Sequence, residues 1–332
     1  MRSLLAGAVL ALPGASSLGA APSEPLPVVD LHVDLSYQHN FKDRPFARGL
    51  GQFPANELAR GGVAGVVLPL FVPRKVSPVG PRLEDLERSY ERVLAAIYET
   101  PVYAPPGCTP LAGKVRTFLA FEGAGPLADD PDALAIWVAR GLKIAGLVHT
   151  SANQLASSSG DARPAFGLTG KGREFVRRAF ALGIAVDVSH ASNAAVQDVL
   201  GLAREQRGIV VATHSNARAL ADHPRNLTDA QIRAIAATGG VVGANFHSPF
   251  VVRGRPAELG DVVAQLRHLL RVAGEDHVAL GSDFEGDIRP PPGLGSNKDY
   301  PALERALEKA GLSRATIAKV FADNALRVLC KH

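Results

Sequence analysis

Apolar and polar positions along the chain alternate in blocks. Eight short runs of β-branched and apolar residues fall at 28–34, 62–72, 117–123, 144–149, 184–190, 209–214, 240–246 and 277–284. In the first, Val29, Leu31 and Val33 alternate with Asp30, His32 and Asp34, so three polar side chains share one face of a strand. The second, GVAGVVLPLFV, is continuously apolar, as expected of a strand covered on both sides. Helical periodicity occupies 82–99, 131–139, 169–182, a stretch from about 193, then 228–238, 259–273, 301–310 and 313–329. Pro131 suits a first helical turn, Thr169 a cap, and Gly183 a helix end. Parallel neighbours need crossovers of this kind. Eight strand candidates, most separated by helices, therefore predict an α/β fold of the (β/α)8 TIM-barrel type, spanning residues 24–332 as one catalytic domain.

Composition adds exclusions. Of 332 residues, 46% are hydrophobic and 20% charged, which is the balance of a globular chain. The 36 Lys and Arg against 32 Asp and Glu leave +4, and the basic residues are dispersed. No basic stripe exists to neutralise a row of phosphates, so nucleic acid is not an expected partner. Residues 1–23 stand apart: Arg2 precedes the apolar run from Leu4 to Leu12, and small residues follow through Ala21. They read as a signal peptide, with a disordered N-terminal arm as the alternative, and the expected location is periplasmic or extracellular, or cytoplasmic if the segment is not a functional signal. No other stretch approaches the roughly 18 apolar residues of a transmembrane helix. Cys108 and Cys330 are the only cysteines, and nothing in the sequence brings them together, so two unpaired thiols are expected.

The chemistry gathers at the downstream ends of five runs, which supply His32, Asp34, Glu122, His190, His214 and Asp283. A parallel barrel collects its active site there. Each alone has a bland explanation: a capping aspartate, a turn glutamate, a hydrogen-bonded core histidine. Together they are costly to bury without a metal or a network. Imidazole and carboxylate without thiolate suit zinc, manganese or iron, and the set predicts a two-metal hydrolytic centre. Glu122, from an interior strand between the flanking ligands, suits the bridge, because a carboxylate offers one oxygen to each ion.

Several stretches carry a family resemblance: Asp30-Leu31-His32-Val33-Asp34, Phe121-Glu122-Gly123, Leu147-Val148-His149, Asp187-Val188-Ser189-His190, Thr213-His214-Ser215, Arg225-Asn226-Leu227-Thr228 and Gly281-Ser282-Asp283-Phe284. In these, and in their order from about 28 to 330, the chain resembles the membrane (renal) dipeptidase family, zinc dipeptidases of the amidohydrolase superfamily. The resemblance implies two Zn2+ per subunit, with His32 and Asp34 on one ion, His190 and His214 on the other, and Glu122 between them. It implies that Asp283 is the catalytic acid/base, passing a proton from a bridging hydroxide or water to the leaving amine. It also implies that His149 stabilises the oxyanion or orients substrate, and that Arg225 takes the free carboxylate of a dipeptide, including one with a C-terminal D-residue. A planar guanidinium matches a carboxylate fork. A homodimer is a further implication.

The chain departs from the family in two places. Thr150-Ser151-Ala152-Asn153-Gln154-Leu155 replaces the usual Cys-Asn-Thr-Pro-Trp-like loop. His247 stands where a tyrosine often helps bind carboxylate, and is either a substitute donor or a solvated loop histidine. These departures keep other functions in play: hydrolysis of N-acyl amino acids, lactones or β-lactams and, from another class, a non-catalytic binding protein.

Overall fold

The computed structural model describes residues 24–76, 80–161 and 165–330. The expected signal segment, 1–23, lies outside them. Eight parallel strands are present: β1 (Val28–Asp30), β2 (Val63–Leu70), β3 (Arg116–Glu122), β4 (Leu142–Gly146), β5 (Ala185–Asp187), β6 (Val210–Val211), β7 (Val242–Ala244) and β8 (Val278–Leu280). They lie in the order β6-β5-β4-β3-β2-β1-β8-β7. Ala212 pairs with Val242 just beyond β6, and the Gly243 amide donates to the Ala212 carbonyl at 2.8 Å, joining the two remaining edges. The expected (β/α)8 barrel is the observed one.

Several ladders are shorter than the apolar runs that predict them, and two aspartates give a reason. Asp30 Oδ1 accepts from the His32 amide at 3.0 Å, and Asp187 Oδ1 accepts from the Ser189 amide at 2.9 Å. Each side chain takes an N–H two residues on, in the manner of an Asx turn, and so ends the strand just below a histidine. The fourth strand, expected to reach His149, stops at Gly146, which leaves His149 on the loop beyond it.

The helices are α1 (Leu35–Lys42), α2 (Leu83–Glu99), α3 (Leu134–Ala139), α4 (Gly170–Ala181), α5 (Asn193–Gln206), α6 (Asp229–Ala237), α7 (Ser248–Val251), α8 (Leu259–Ala273), α9 (Tyr300–Lys309), α10 (Arg314–Ala318) and α11 (Asn324–Cys330). Helix α4 begins where Thr169 accepts from the Gly172 amide at 3.0 Å. Thr228 and Gln231 form a reciprocal capping box at the head of α6. The last helical stretch is broken by a π-helical turn, Lys319–Asp323, between α10 and α11. Among the described residues no helix is long and apolar enough to cross a membrane.

Two apolar clusters hold the layers. The larger lies between strands and helices. The smaller fills the barrel interior with Val29, Val67, Phe118, Ile144, Val211 and Ala279, and the C-terminal residues Ala322, Ala325, Val328 and Leu329 pack onto it. The C-terminal segment therefore plugs the base of the barrel. Asn324 fixes the plug by donating to the Glu275 and Val278 carbonyls, both at 2.8 Å. Here the cysteine expectation is corrected: Cys108 and Cys330 form a disulfide, with 5.6 Å between their Cα atoms. Sequence distance concealed a meeting that the barrel base creates.

One glycine sets the approach of strands beneath the site. A Cβ on Gly281 would lie 1.7 Å from the Thr213 carbonyl oxygen and 3.3 Å from the His214 Cα. Only glycine lets the end of β8 sit this close to the end of β6.

Candidate metal centre and substrate cleft

The barrel's upper end brings the six expected residues together. Donor atoms of three sets each lie within 4.8 Å of one another: His32, Asp34 and Glu122; Glu122, His190 and His214; His32, His214 and Asp283. Glu122 is common to two sets. Its Oε1 stands 3.0 Å from His190 Nε2, 3.5 Å from His32 Nε2, 3.6 Å from His214 Nε2 and 3.8 Å from His149 Nε2. Bonds of about 2.0–2.1 Å to a tetrahedral ion place neighbouring ligand atoms roughly 3.4 Å apart, so these spacings fit shared cations.

Hydrogen bonding sets which imidazole nitrogens carry protons. Thr213 Oγ1 donates to Asp187 Oδ2 at 2.6 Å, so it can only accept from His214 Nδ1, 2.8 Å away. That fixes the His214 proton on Nδ1 and leaves Nε2 bare. Arg225 Nη2 has only protons to offer and lies 3.3 Å from His190 Nε2, which is therefore an acceptor. Two unprotonated imidazole nitrogens then face each other at 2.9 Å, an arrangement that a cation relieves. Among the described residues His32 Nε2 is buried with no hydrogen-bond partner, although His32 Nδ1 lies 3.4 Å from Thr213 Oγ1. The residues present fit a metal.

Burial controls protonation among these side chains. It lowers His32 to about 3 and holds His190 and His214 well below the usual imidazole range, so all three are neutral, as ligands must be. The same burial, reinforced by neighbouring carboxylates, raises Asp34 and Glu122 well above theirs. Asp283 is raised to about 7, chiefly by burial, while its Oδ2 accepts from Asn245 Nδ2 at 2.8 Å.

His149, Arg225 and His247 line a cleft of about 540 Å³ together with Asp34, Glu122, His190 and Asp283. His149, partly exposed, lies under Phe71 with ring centroids 4.3 Å apart, and burial lowers it to about 4. Arg225 is buried, and among the described residues its Nη1 has no partner. The Arg289 amide donates to His247 Nδ1 at 3.1 Å, which puts the proton of neutral His247 on Nε2. Burial lowers this histidine to about 4.

Sequence reasoning passed over the residues that orient these groups. Asp30 Oδ1 also accepts from the Ser282 amide at 3.0 Å, and Tyr300 donates its hydroxyl to Asp30 Oδ2. Asp187 collects the Ser189 and Thr213 hydroxyls and amides. Glu285 accepts from the amides of Leu50, Gln52 and Phe53, clamping the loop after α1 onto the loop after β8. In the latter loop Asp283, Glu285 and Asp287 all have positive φ, at 66°, 70° and 56°. Non-glycine residues in this region mark a backbone held by its surroundings. The only sequence signal was Asp30 on the polar face of the first strand and Asp187 just below His190.

Barrel, buried ligand cluster and cleft together define a metal-dependent hydrolase. Its particular kind follows from comparison with known proteins. The chain belongs to the membrane dipeptidase family (peptidase family M19), whose model matches residues 22–332, and it is a metal-dependent dipeptidase. An uncharacterized dipeptidase of Schizosaccharomyces pombe is 29% identical over 329 residues, covering 91% of this chain and 80% of the relative. A crystallised metallopeptidase of the same family, dipeptidase AC, superposes with a TM-score of 0.80 at 29% identity, covering 92% of this chain and 98% of that one. A metallopeptidase from Rhodobacter sphaeroides, crystallised with a phosphinate mimic of the dipeptide L-Ala-D-Ala, gives 0.79 at 26% identity, covering 92% and 99%.

Proposed function

We propose that this chain is a binuclear zinc dipeptidase that hydrolyses dipeptides, including those with a C-terminal D-residue. The observation that carries the reading is the convergence of His32, His190, His214 and Asp34 about Glu122, beneath a cleft that also holds an unpartnered, buried guanidinium nitrogen of Arg225. His32 and Asp34 would hold one ion, His190 and His214 the other, and Glu122 both. When bound, the ions supply Lewis acidity and lower the pKa of a water toward neutrality.

The chain's own residues do the rest. Arg225 pairs with the substrate carboxylate through its planar fork, and the His247 Nε2–H adds a neutral donor from the far wall. A dipeptide presents that carboxylate one residue from the scissile bond, whereas a longer peptide presents further chain. His149, neutral and beside Glu122, orients the scissile carbonyl. Asp283, held by Asn245 and raised to about 7, takes a proton from the attacking water and returns it to the leaving amine. The relative bound to an L-Ala-D-Ala mimic supports acceptance of D-residues. Export is part of the proposal, supported by the leader-like pattern of residues 1–23 and by the Cys108–Cys330 pair, since disulfides persist in oxidising compartments.

The test is a substrate panel on metal-replete protein. Amino acids should be released from L,L and L,D dipeptides, a strong chelator should abolish the activity, and Zn2+ should restore it at two ions per chain. Faster turnover of N-acyl amino acids, lactones or β-lactams at equal enzyme loading would replace the dipeptide reading.

A further inference from the structure

The cleft is only half of the space above the centre. A second cavity of about 400 Å³ adjoins it. The two share Phe71, Arg74, Glu122, His149 and Thr150, whereas Arg225, His247 and Asp283 line the first alone. We propose that this second lobe receives a bulky apolar side chain on the N-terminal residue of the substrate, and that the loop 150–156 makes it specific.

The inference rests on the dipeptidase reading, with the free carboxylate at Arg225. The scissile carbonyl then lies beside Glu122 and His149, at the junction. The acyl half of the substrate points away from Arg225, and the space available in that direction is the second lobe.

Its walls name the occupant. Phe71, Val72, Pro81, Pro126, Ala152 and Phe166 present carbon to the lobe. Phe166 is 49% exposed at its edge, a large aromatic left in water until an apolar group covers it. Among the described lining residues the only carboxylate is Glu122 of the metal centre, so a basic side chain finds no counter-ion. A small N-terminal residue would leave the lobe to water.

The wall is built before substrate arrives. Asn153 Nδ2 donates to the Leu147 carbonyl at 2.8 Å, and its Oδ1 accepts from the Leu155 and Ala156 amides at 2.8 and 3.3 Å. The opposite loop approaches so closely that a Cβ on Gly125 would lie 2.8 Å from Asn153 Nδ2. These contacts belong to the segment that departs from the family pattern, so the preference is a property of this chain.

The experiment compares kcat/KM for Phe-Ala and Gly-Ala on the metal-loaded full chain. Phe-Ala should be preferred by at least about tenfold, the lower end of what even one methylene yields in a hydrophobic pocket. Ala152→Trp fills the lobe while keeping the backbone N–H that donates to Asp161 Oδ2. In this variant the ratio should fall to within about twofold of unity as the apolar pocket is lost. Phe166→Ser, which opens the wall instead, should lower the ratio severalfold and guards against a folding failure of the first variant. Hydrolysis of both substrates without preference in the wild type, or an unchanged ratio in both folded variants, overturns the lobe and leaves the dipeptidase reading standing. Hydrolysis of neither substrate overturns both.

Discussion

Replacing Asp187 by Asn changes one atom and reverses a proton. The Asp187 carboxylate accepts four hydrogen bonds: from the Ser189 and Thr213 amides and the Ser189 hydroxyl at Oδ1, and from the Thr213 hydroxyl at Oδ2. An asparagine satisfies the Oδ1 cluster with its carbonyl and presents NH2 to Thr213. The threonine hydroxyl must then accept there, and its own proton turns to His214 Nδ1. His214 is driven to carry its proton on Nε2, the nitrogen that faces Glu122 and His190. Loss of such an orienting partner typically costs 10–100-fold in metal affinity. At about 1.36 kcal/mol per tenfold this is roughly 1.4–2.7 kcal/mol, comparable to one charge-assisted hydrogen bond to a buried acceptor. With two Zn2+ bound as proposed, Asp187→Asn should therefore hold metal about 10–100-fold more weakly, with the deficit confined to one ion. Competition titration against a calibrated chelator measures the affinity, and metal analysis gives the stoichiometry. Wild-type affinity for both ions in a folded Asp187→Asn protein would refute the tautomer argument.

Asp283→Asn should retain the wild-type metal content and lose turnover by a factor of about 10²–10⁴, as expected for removal of a general acid–base; dipeptide assays paired with metal analysis decide it, and equal activity removes Asp283 from proton transfer. The Cys108–Cys330 pair, with a sequence separation of 222, closes a loop whose chain entropy corresponds to about 5 kcal/mol. Cys330→Ser should accordingly lower the thermal midpoint by several degrees and make it insensitive to reductant, whereas an unchanged midpoint removes the bond from the stability account. For His247, burial lowers the folded-state value to about 4 against about 6.5 unfolded. The unfolded chain then binds more protons between these values, so the group costs nothing above about pH 6.5 and destabilises progressively as pH falls toward 4. In chelated protein, His247→Phe should lessen the loss of thermal stability between about pH 6.5 and 4, and parallel wild-type and variant curves would contradict the buried neutral histidine.

The long helices were legible because amphipathic period and capping chemistry agree locally: the pattern at 259–273 is α8, and that at 82–99 is α2 with one extra residue at its start. Helix α1 was not, since its sequence, LSYQHNFK, has no apolar stripe; Gln38 and Asn40 are buried by hydrogen bonds to Glu285 and Ser89 instead. The convergence of His32, Glu122, His190 and His214 followed from their place at strand ends, because a parallel barrel points all those ends the same way. Their orienting partners did not follow. Tyr300 reaches Asp30 across 270 residues and Asn245 reaches Asp283 across 38, contacts that depend on loop paths no local pattern encodes. The cysteine pair was hidden for the same reason.

The plugged barrel base carries a consequence for how the molecule is assembled. Strand β1 must pair with β8, some 250 residues later, and the interior cluster is complete only when Ala322, Ala325 and Val328 enter it from below. During synthesis the first strands therefore emerge with their inner faces uncovered, and the ring has no local way to close. Long-range pairing of this kind is slow and exposes apolar edges while it waits. His32 and Asp34, at the start of the chain, and Asp283, near its end, come together only in that last step. A nascent or truncated chain then lacks the carboxylate proposed to move the proton, so the capacity for hydrolysis arrives with the finished fold and not before it.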